Sequence, residues 1–254
     1  MTKPQTGGIQ AIDRTFEIVE ALNELEGAGV SELARYVGLP KSTVYNHLAT
    51  LEQTGYVVRR DGEYRTGLKF LEAGELARDQ HKLYTIGRSE VDKLAEKTGE
   101  ISGLMTEEHG TGVVIYRSRG SEAALIDTHI GDRIPLHCTA LGKAILAFLP
   151  ESQCSSIVDD GDLEAFTTST ITEPTTLHDE LEEVRENKIA FDDEERLNGL
   201  RSVAAPILDG SGSVIGAISV AGPTHRMRGE RFRTEFPELA LGVANVIELN
   251  LQHS

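Results

Sequence analysis

The sequence predicts an α+β protein of two domains, a small winged helix-turn-helix followed by a larger unit whose mostly antiparallel sheet is flanked by helices. Three observations carry that reading. A short helix over about 41–54 sets Lys41, Ser42, Thr43, Tyr45, Asn46 and His47 between apolar Val44, Leu48 and Leu51. A basic run, Tyr56-Val57-Val58-Arg59-Arg60, then turns at Asp61-Gly62 into Glu63-Tyr64-Arg65. Asp-Gly between alternating strands is the strongest short-range hairpin signal. Farther on, short apolar runs bounded by glycines and charged turns alternate with helical stretches.

Residues 1–8 read as a flexible lead. From Ile9 to Leu25 the positions Ile12, Phe16, Val19, Leu22 and Leu25 recur at helical spacing, with Glu17, Glu20 and Glu24 between them. Glu26-Gly27-Ala28-Gly29 closes that helix, and Ser31 is placed to N-cap a second one that carries Leu33, Ala34 and Val37 inward. Gly38-Leu39-Pro40 breaks it, because Gly admits a left-handed residue and Pro disfavours helix before itself. The third helix starts between Pro40 and Ser42 and runs to Thr54, where Gly55 suits the C′ position.

Helix, short turn, helix is the order of a DNA reader whose second helix enters the major groove. Lys41, Ser42 and Thr43 suit phosphates near the helix start. Asn46 suits bidentate contact with adenine, and Tyr45 offers a ring and a hydroxyl. Arg59, Arg60 and Arg65 on the hairpin suit backbone phosphates or the minor groove. The other reading of the same unit is a signalling scaffold, whose N-terminal module docks a protein through a solvated polar face. His47 by itself reads as a surface histidine.

Residues 68–84 follow as a helical connector, with Leu68, Leu71, Leu76 and Leu83 along it, and a helix over 86–97 closes at Thr98-Gly99-Glu100. Strands are predicted at 101–106, 113–117 and 124–127, a buried helix at 141–149 and an amphipathic one at 176–187. Strands 203–208 and 214–221 flank Asp209-Gly210-Ser211-Gly212-Ser213, and a last helix spans about 234–251. The domains are therefore 9–67 and 85–254, joined by the 68–84 helix; a chain of 254 residues has room for both. Gly210, Gly212 and Gly216 do not form a dinucleotide loop: their spacing is wrong by one and they join two strands.

Net charge is −16, the wrong sign for a simple nucleic-acid binder. Its distribution softens the objection. Residues 1–66 hold seven Lys/Arg against nine Asp/Glu, a balance of −2, so −14 lies C-terminal to them. Arg outnumbers Lys 17 to 8. An acidic, lysine-poor composition predicts a cytosol of very high salt, as in a halophilic archaeon. There counterion release weakens and the Debye length falls to about 3 Å at 1 M, so direct hydrogen bonds and shape must supply DNA affinity. No apolar run approaches the roughly 20 residues of a membrane helix. The first residues lack the apolar stretch of a signal peptide. Cys138 and Cys154 imply no disulfide framework. The expectation is a cytoplasmic protein away from membranes.

At this point the chain resembles the IclR family of transcriptional regulators over nearly its whole length. Ala11-Ile12-Asp13-Arg14, Ser31-Glu32-Leu33-Ala34 and Leu39-Pro40-Lys41-Ser42-Thr43-Val44 resemble the family's reader. More specific are the run from Gly131-Asp132-Arg133 through His137-Cys138-Thr139-Ala140-Leu141-Gly142-Lys143-Ala144, and Asp192-Asp193-Glu194-Glu195. Gly199-Leu200-Arg201-Ser202-Val203 and Gly216-Ala217-Ile218-Ser219-Val220-Ala221-Gly222-Pro223 follow in the family's order. The resemblance implies a GAF-like α/β effector-binding domain, joined by a linker helix to the winged reader. It implies effector contacts from Ala140, Leu141, Asp192, Ser202 and Ser219. It also implies a homodimer on a pseudo-palindromic site in double-stranded DNA, pairing further into a tetramer in some relatives.

Free amides at a helix start favour a carboxylate, which suits Ala140 and Leu141. An ionised Asp192 accepts hydrogen bonds and repels a nearby anion, so a hydroxylated acid or sugar-derived metabolite satisfies both ends. Ser202 stands where many relatives carry cysteine and Ala221 where some carry serine, which leaves specificity open. The plainer reading makes 192–195 a salt-adapted acidic run and the serines locally bonded strand residues. No enzyme, metal or cofactor is expected. His129, His137 and Cys138 lack the paired spacing of a closed zinc site, and adjacent His137 and Cys138 on an extended chain point to opposite faces. No third group is in view to orient a nucleophile.

Overall fold

The computed structural model describes residues 8–124, 126 and 128–253, so the lead at 1–8 lies, apart from Gly8, outside the described residues. The chain divides into two compact units that part between Arg78 and Asp79. In the first, α1 (Gln10–Glu24), α2 (Val30–Tyr36) and α3 (Lys41–Thr54) precede the hairpin β1 (Val57–Arg60) and β2 (Glu63–Thr66); α4 (Lys69–Asp79) follows. Asp61 and Gly62 both have positive φ, 52° and 89°, the two-residue turn that matches the twist of a hairpin. Ala28 adds a bridge to Tyr64 through reciprocal backbone bonds of 3.0 and 2.9 Å. Ile18, Leu22, Leu33, Val44, Leu48 and Tyr64 are buried together beneath these elements. α3 stops at Gly55, whose φ of 83° ends the helix in the left-handed region.

Two expectations change here. The second helix begins at Val30, with Gly29 as its N-cap, so Ser31 lies inside it. Gly29 wins because its carbonyl already accepts from the amides of Glu32 and Leu33, both at 3.1 Å. The periodicity that grouped Ile12 and Phe16 with Val19 and Leu22 also overreaches. Burial starts at Ile18, because only the C-terminal turns of α1 reach the core, and Ile12 and Phe16 are 50% and 55% exposed.

The second unit runs α5 (Lys82–Thr98), β3 (Ile101–Glu108), β4 (Thr111–Arg119), β5 (Arg133–Ile134), α6 (Ala140–Leu146), α7 (Glu151–Val158), α8 (Pro174–Asn187) and β6 (Ala190–Asp193). β7 (Leu200–Leu208), β8 (Val214–Pro223), a π-turn at Arg231–Glu235 and α9 (Phe236–Gln252) complete it. The sheet order is β5-β4-β3-β8-β7-β6, every neighbour antiparallel. Successive strand residues face opposite ways, and both faces are covered. Val203, Ala205 and Ile207 join a core with α5 and α9, while Ala204 joins one with α6 and α8.

The connector read as 68–84 breaks at Gln80-His81, where His81 takes an extended conformation and starts α5. The buried helix read to 149 stops at Leu146. Ala124 and Ile126 belong to no strand, and Leu125 and Asp127 lie outside the described residues. α7, β5 and β6 had no counterpart in the sequence reading.

Candidate functional site

α3 carries Val44, Leu48 and Leu51 inward and leaves Lys41, Ser42, Tyr45 and Asn46 exposed, with Thr43 half-buried. On the hairpin Arg59, Arg60 and Arg65 are exposed. The Arg59 guanidinium lies 5.3 Å from the centroid of the Tyr64 ring, and Arg65 reaches Glu63 at 3.3 Å. All eight residues picked from sequence for DNA contact thus fall on α3 and the hairpin of one unit. His47 stays apart from that set: its Nδ1 is 2.8 Å from the Thr15 hydroxyl, tying α3 to α1. Lys69 went unnoticed in the sequence. It donates to the Thr54 carbonyl at 2.9 Å and so closes the end of α3.

The second candidate site is a cavity of about 330 Å³ between the α6 face of the sheet and the segments around Thr128 and Arg196. Two rows of paired residues make its floor. One runs Asp192, Ser202, Ala221, Ile101 across β6, β7, β8 and β3; the next runs Ser219, Gly103, Arg117 across β8, β3 and β4. Small side chains in these rows leave the hollow. Leu141, Asp192, Ser202 and Ser219 line it, as do Thr128, Thr139, Arg117 and Arg196. Ala140 does not: its side chain is wholly buried in the α6 core. At the start of α6 the Thr139 hydroxyl accepts from the Gly142 amide at 3.0 Å, the ordinary N-cap arrangement.

Asp192 is more committed than the sequence suggested. One carboxylate oxygen accepts from the Glu195 amide at 2.8 Å and the other from the Ser202 hydroxyl at 3.2 Å. Burial pushes its pKa up to about 6 against those hydrogen bonds and the pull of Lys143. Glu195 turns away to Lys143, whose ammonium donates to it at 2.6 Å and also to Glu180. Lys143 is fully buried. Burial lowers its pKa, yet Glu195 and Glu180 outweigh that and hold it raised and charged. Glu195 is pushed up to about 7, first by burial and then by Glu180 and Asp192, against the pull of Lys143. Thr167 and Thr170 donate to the Glu194 and Glu195 carbonyls, both at 2.7 Å, and the Arg196 guanidinium lies 4.5 Å from the centroid of the Phe166 ring. The segment 194–196 is therefore held from three sides.

Arg117, Arg196 and the Lys143 pair are what sequence reasoning missed. For Arg117 the reason is a bulge. Leu104 pairs with Tyr116 but Met105 with Val114, so Val114 and Arg117 share a face that simple alternation would deny them. Lys143 and Glu195 were quoted in motifs, yet their 52-residue separation hid the contact.

The His137–Cys138 pair offers no nucleophile. The His137 Nε2 is 3.0 Å from the Glu164 carbonyl, and burial pushes the Cys138 thiol up to about 12. Among the described residues no group of three or more His, Cys, Asp or Glu could hold a metal ion. No described helix is long and apolar enough to cross a membrane.

This pairing of units has known counterparts. Residues 11–61 match the IclR helix-turn-helix domain, and residues 76–248 match the C-terminal region of the bacterial transcriptional regulator IclR. The chain belongs to the IclR family. It is accordingly a ligand-responsive, DNA-binding transcriptional regulator, with the winged reader and GAF-like domain that the resemblance implied. The protein-docking alternative finds no support among these matches.

One relative, named "Probable HTH-type transcriptional regulator ArcR" in Halobacterium salinarum, is 36% identical over 248 residues, 96% of this chain and 94% of its own. The acetate operon repressor of Salmonella typhimurium is 31% identical over 253 residues, covering 98% and 92%. Among solved structures, an IclR homologue from Microbacterium hydrocarbonoxydans, complexed with 4-hydroxybenzoate, superposes with a TM-score of 0.83 at 21% identity, covering 96% of this chain and all of that one.

Proposed function

We propose that this IclR-family regulator acts as a homodimer on a pseudo-palindromic promoter site in the cytoplasm and is switched by a small carboxylate, hydroxylated or sugar-derived. Lys41, Ser42 and Thr43 would grip phosphates, Tyr45 and Asn46 would read bases from α3, and Arg59, Arg60 and Arg65 would hold the backbone beside it. The observation that carries the effector is the 330 Å³ cavity, whose wall combines apolar Met105, Val114 and Leu141 with hydroxyls of Ser202, Ser219 and Thr139. Cavities of that size with a few placed polar groups are how proteins take small molecules. The Salmonella relative governs an acetate operon, and the Microbacterium homologue holds a hydroxylated acid. A catabolic pathway for such an acid is the natural target.

Binding in that cavity would bias the reader's affinity for DNA, and a coupling of about 1–3 kcal/mol is enough to change promoter occupancy. The acidic composition and the Halobacterium relative both favour a high-salt cytosol; thermal melts across a KCl series check that part, and full stability in dilute buffer would count against it. The deciding experiment is genome-wide occupancy of the tagged protein in its host, grown with and without candidate carbon sources. Sharp peaks at a few promoters that respond to one carbon source are expected. No localised binding under any condition would overturn the reading.

A further inference from the structure

We propose that the effector carries two acidic groups, one met by Arg117 and one by Arg196, and that these two residues set the regulator's specificity for a dicarboxylic acid. This rests on the effector reading of the cavity.

The argument begins with charge pairing. The chain has 41 Asp/Glu for 25 Lys/Arg, so carboxylates are in excess, and three arginines of the second unit, Arg133, Arg201 and Arg226, each pair with one. Arg226 forks onto Glu100 at 2.6 and 2.8 Å, and Arg201 meets Asp193 at 2.5 Å. Arg117 and Arg196 line the same cavity, and among the described residues neither has a carboxylate within 4.0 Å. The contact of Arg117 is the Ile126 carbonyl at 3.5 Å, while Arg196 lies over the face of Phe166. Both are half-buried. Burial and the neighbouring Arg119 lower the pKa of Arg117, against the pull of Asp132.

Asp192, the carboxylate in the cavity wall, does not answer them. Its two oxygens already accept from the Glu195 amide and the Ser202 hydroxyl. Two half-desolvated guanidiniums facing one hollow are costly until an anion arrives, and a guanidinium fork matches a carboxylate. They also come from different walls. Arg117 rises from β4 in the row with Gly103 and Ser219, and Arg196 stands on the segment after β6. Two cations on different elements of one cavity can each take an acidic end. In a concentrated salt cytosol the distant acidic surface is screened within about 3 Å at 1 M, so these local cations decide what the cavity accepts.

The test is calorimetric titration of the full-length protein in concentrated KCl with matched acids: butyrate against succinate, hexanoate against adipate, and benzoate against terephthalate, with malate and 4-hydroxybenzoate added. A diacid should bind at least about ten-fold more tightly than its matched monoacid, the scale of one charged hydrogen bond. Arg117→Gln and Arg196→Gln should each erase that advantage while changing monoacid binding much less. Should either variant melt early, Arg117→Lys and Arg196→Lys keep the charge and should retain part of the preference. Equal binding of matched acids, or variants that keep the diacid preference, would defeat the two-arginine assignment and leave the acid effector standing. Failure of every acid to bind would defeat the carboxylate reading and this inference together.

Discussion

The polar face of α3 and the polar interior of the sensing unit use the same kinds of residue under opposite conditions. On α3 the donors Lys41, Ser42, Tyr45 and Asn46 stand in water with apolar residues only on the side they turn away from. Around the cavity, Lys143, Asp192 and Glu195 are buried, and each is bound to another. An exposed donor costs the fold nothing while it waits for DNA. A buried one must be satisfied by the protein itself before any ligand comes. Changes in that buried network should therefore cost stability, whereas changes on α3 should appear in DNA affinity alone.

The largest effect is expected at Lys143. Replacing it by Met leaves Glu195 and Glu180 without their shared ammonium, and breaking a buried pair from one side costs about 3–5 kcal/mol. Urea unfolding at fixed KCl would show it, and adding Glu195→Gln should recover part of the loss. A loss below about 1 kcal/mol would mean that the network is not what holds α6 to the segment after β6.

A smaller effect follows from pH. Asp192 and Glu195 titrate near 6 and 7 in the folded unit, above their ordinary 3.8 and 4.5, because burial disfavours their charge. Raised acids bind protons more tightly when folded, so their contribution to stability is full below about pH 4 and is lost as pH rises through 6 and 7. The doubly neutral variant Asp192→Asn with Glu195→Gln should not share that loss. Chemical melts of both proteins between pH 4 and 8 would show the wild type falling relative to the variant, and parallel curves would remove the burial argument.

The same contrast decides what was legible in the sequence. The reader was almost wholly visible, since Asp61-Gly62, Gly55 and the spacing of Val44, Leu48 and Leu51 are local signals. Leu141, Asp192, Ser202 and Ser219 were reachable only through the family's motifs, because pairing across strands is not written in neighbouring residues. Arg117 was beyond both: a bulge opposite Leu104 and Met105 resets which side chains face the cavity. α7 and β6 were missed because each is short, at eight and four residues, and carries little periodicity.

In the reader the expected effects are on recognition. Asn46→Ala should cost about 1–3 kcal/mol at the cognate site and relax preference at one base position, whereas Arg60→Ala should weaken all sequences alike and reduce the salt slope by about 1. Anisotropy titrations on cognate and scrambled duplexes across a KCl series separate the two patterns. If Asn46→Ala weakened both duplexes equally, Asn46 would be a phosphate contact and base readout would have to come from Tyr45 or elsewhere on α3.

The smallest effect is the one that tests the contrast most directly. Lys41→Ala and Tyr45→Ala remove exposed side chains, Tyr45 being 53% exposed, and neither has a packing partner in the core formed by Ile18, Leu33 and Leu48. Surface substitutions of this kind usually move stability by no more than about 0.5 kcal/mol, and Ala is the best helix former. The melts of both variants should therefore overlay the wild type while their duplex affinity falls. A variant that lost as much stability as Lys143→Met would show that α3's outer face is already covered, by another part of the protein or another copy, and that its polar residues are spent before DNA arrives.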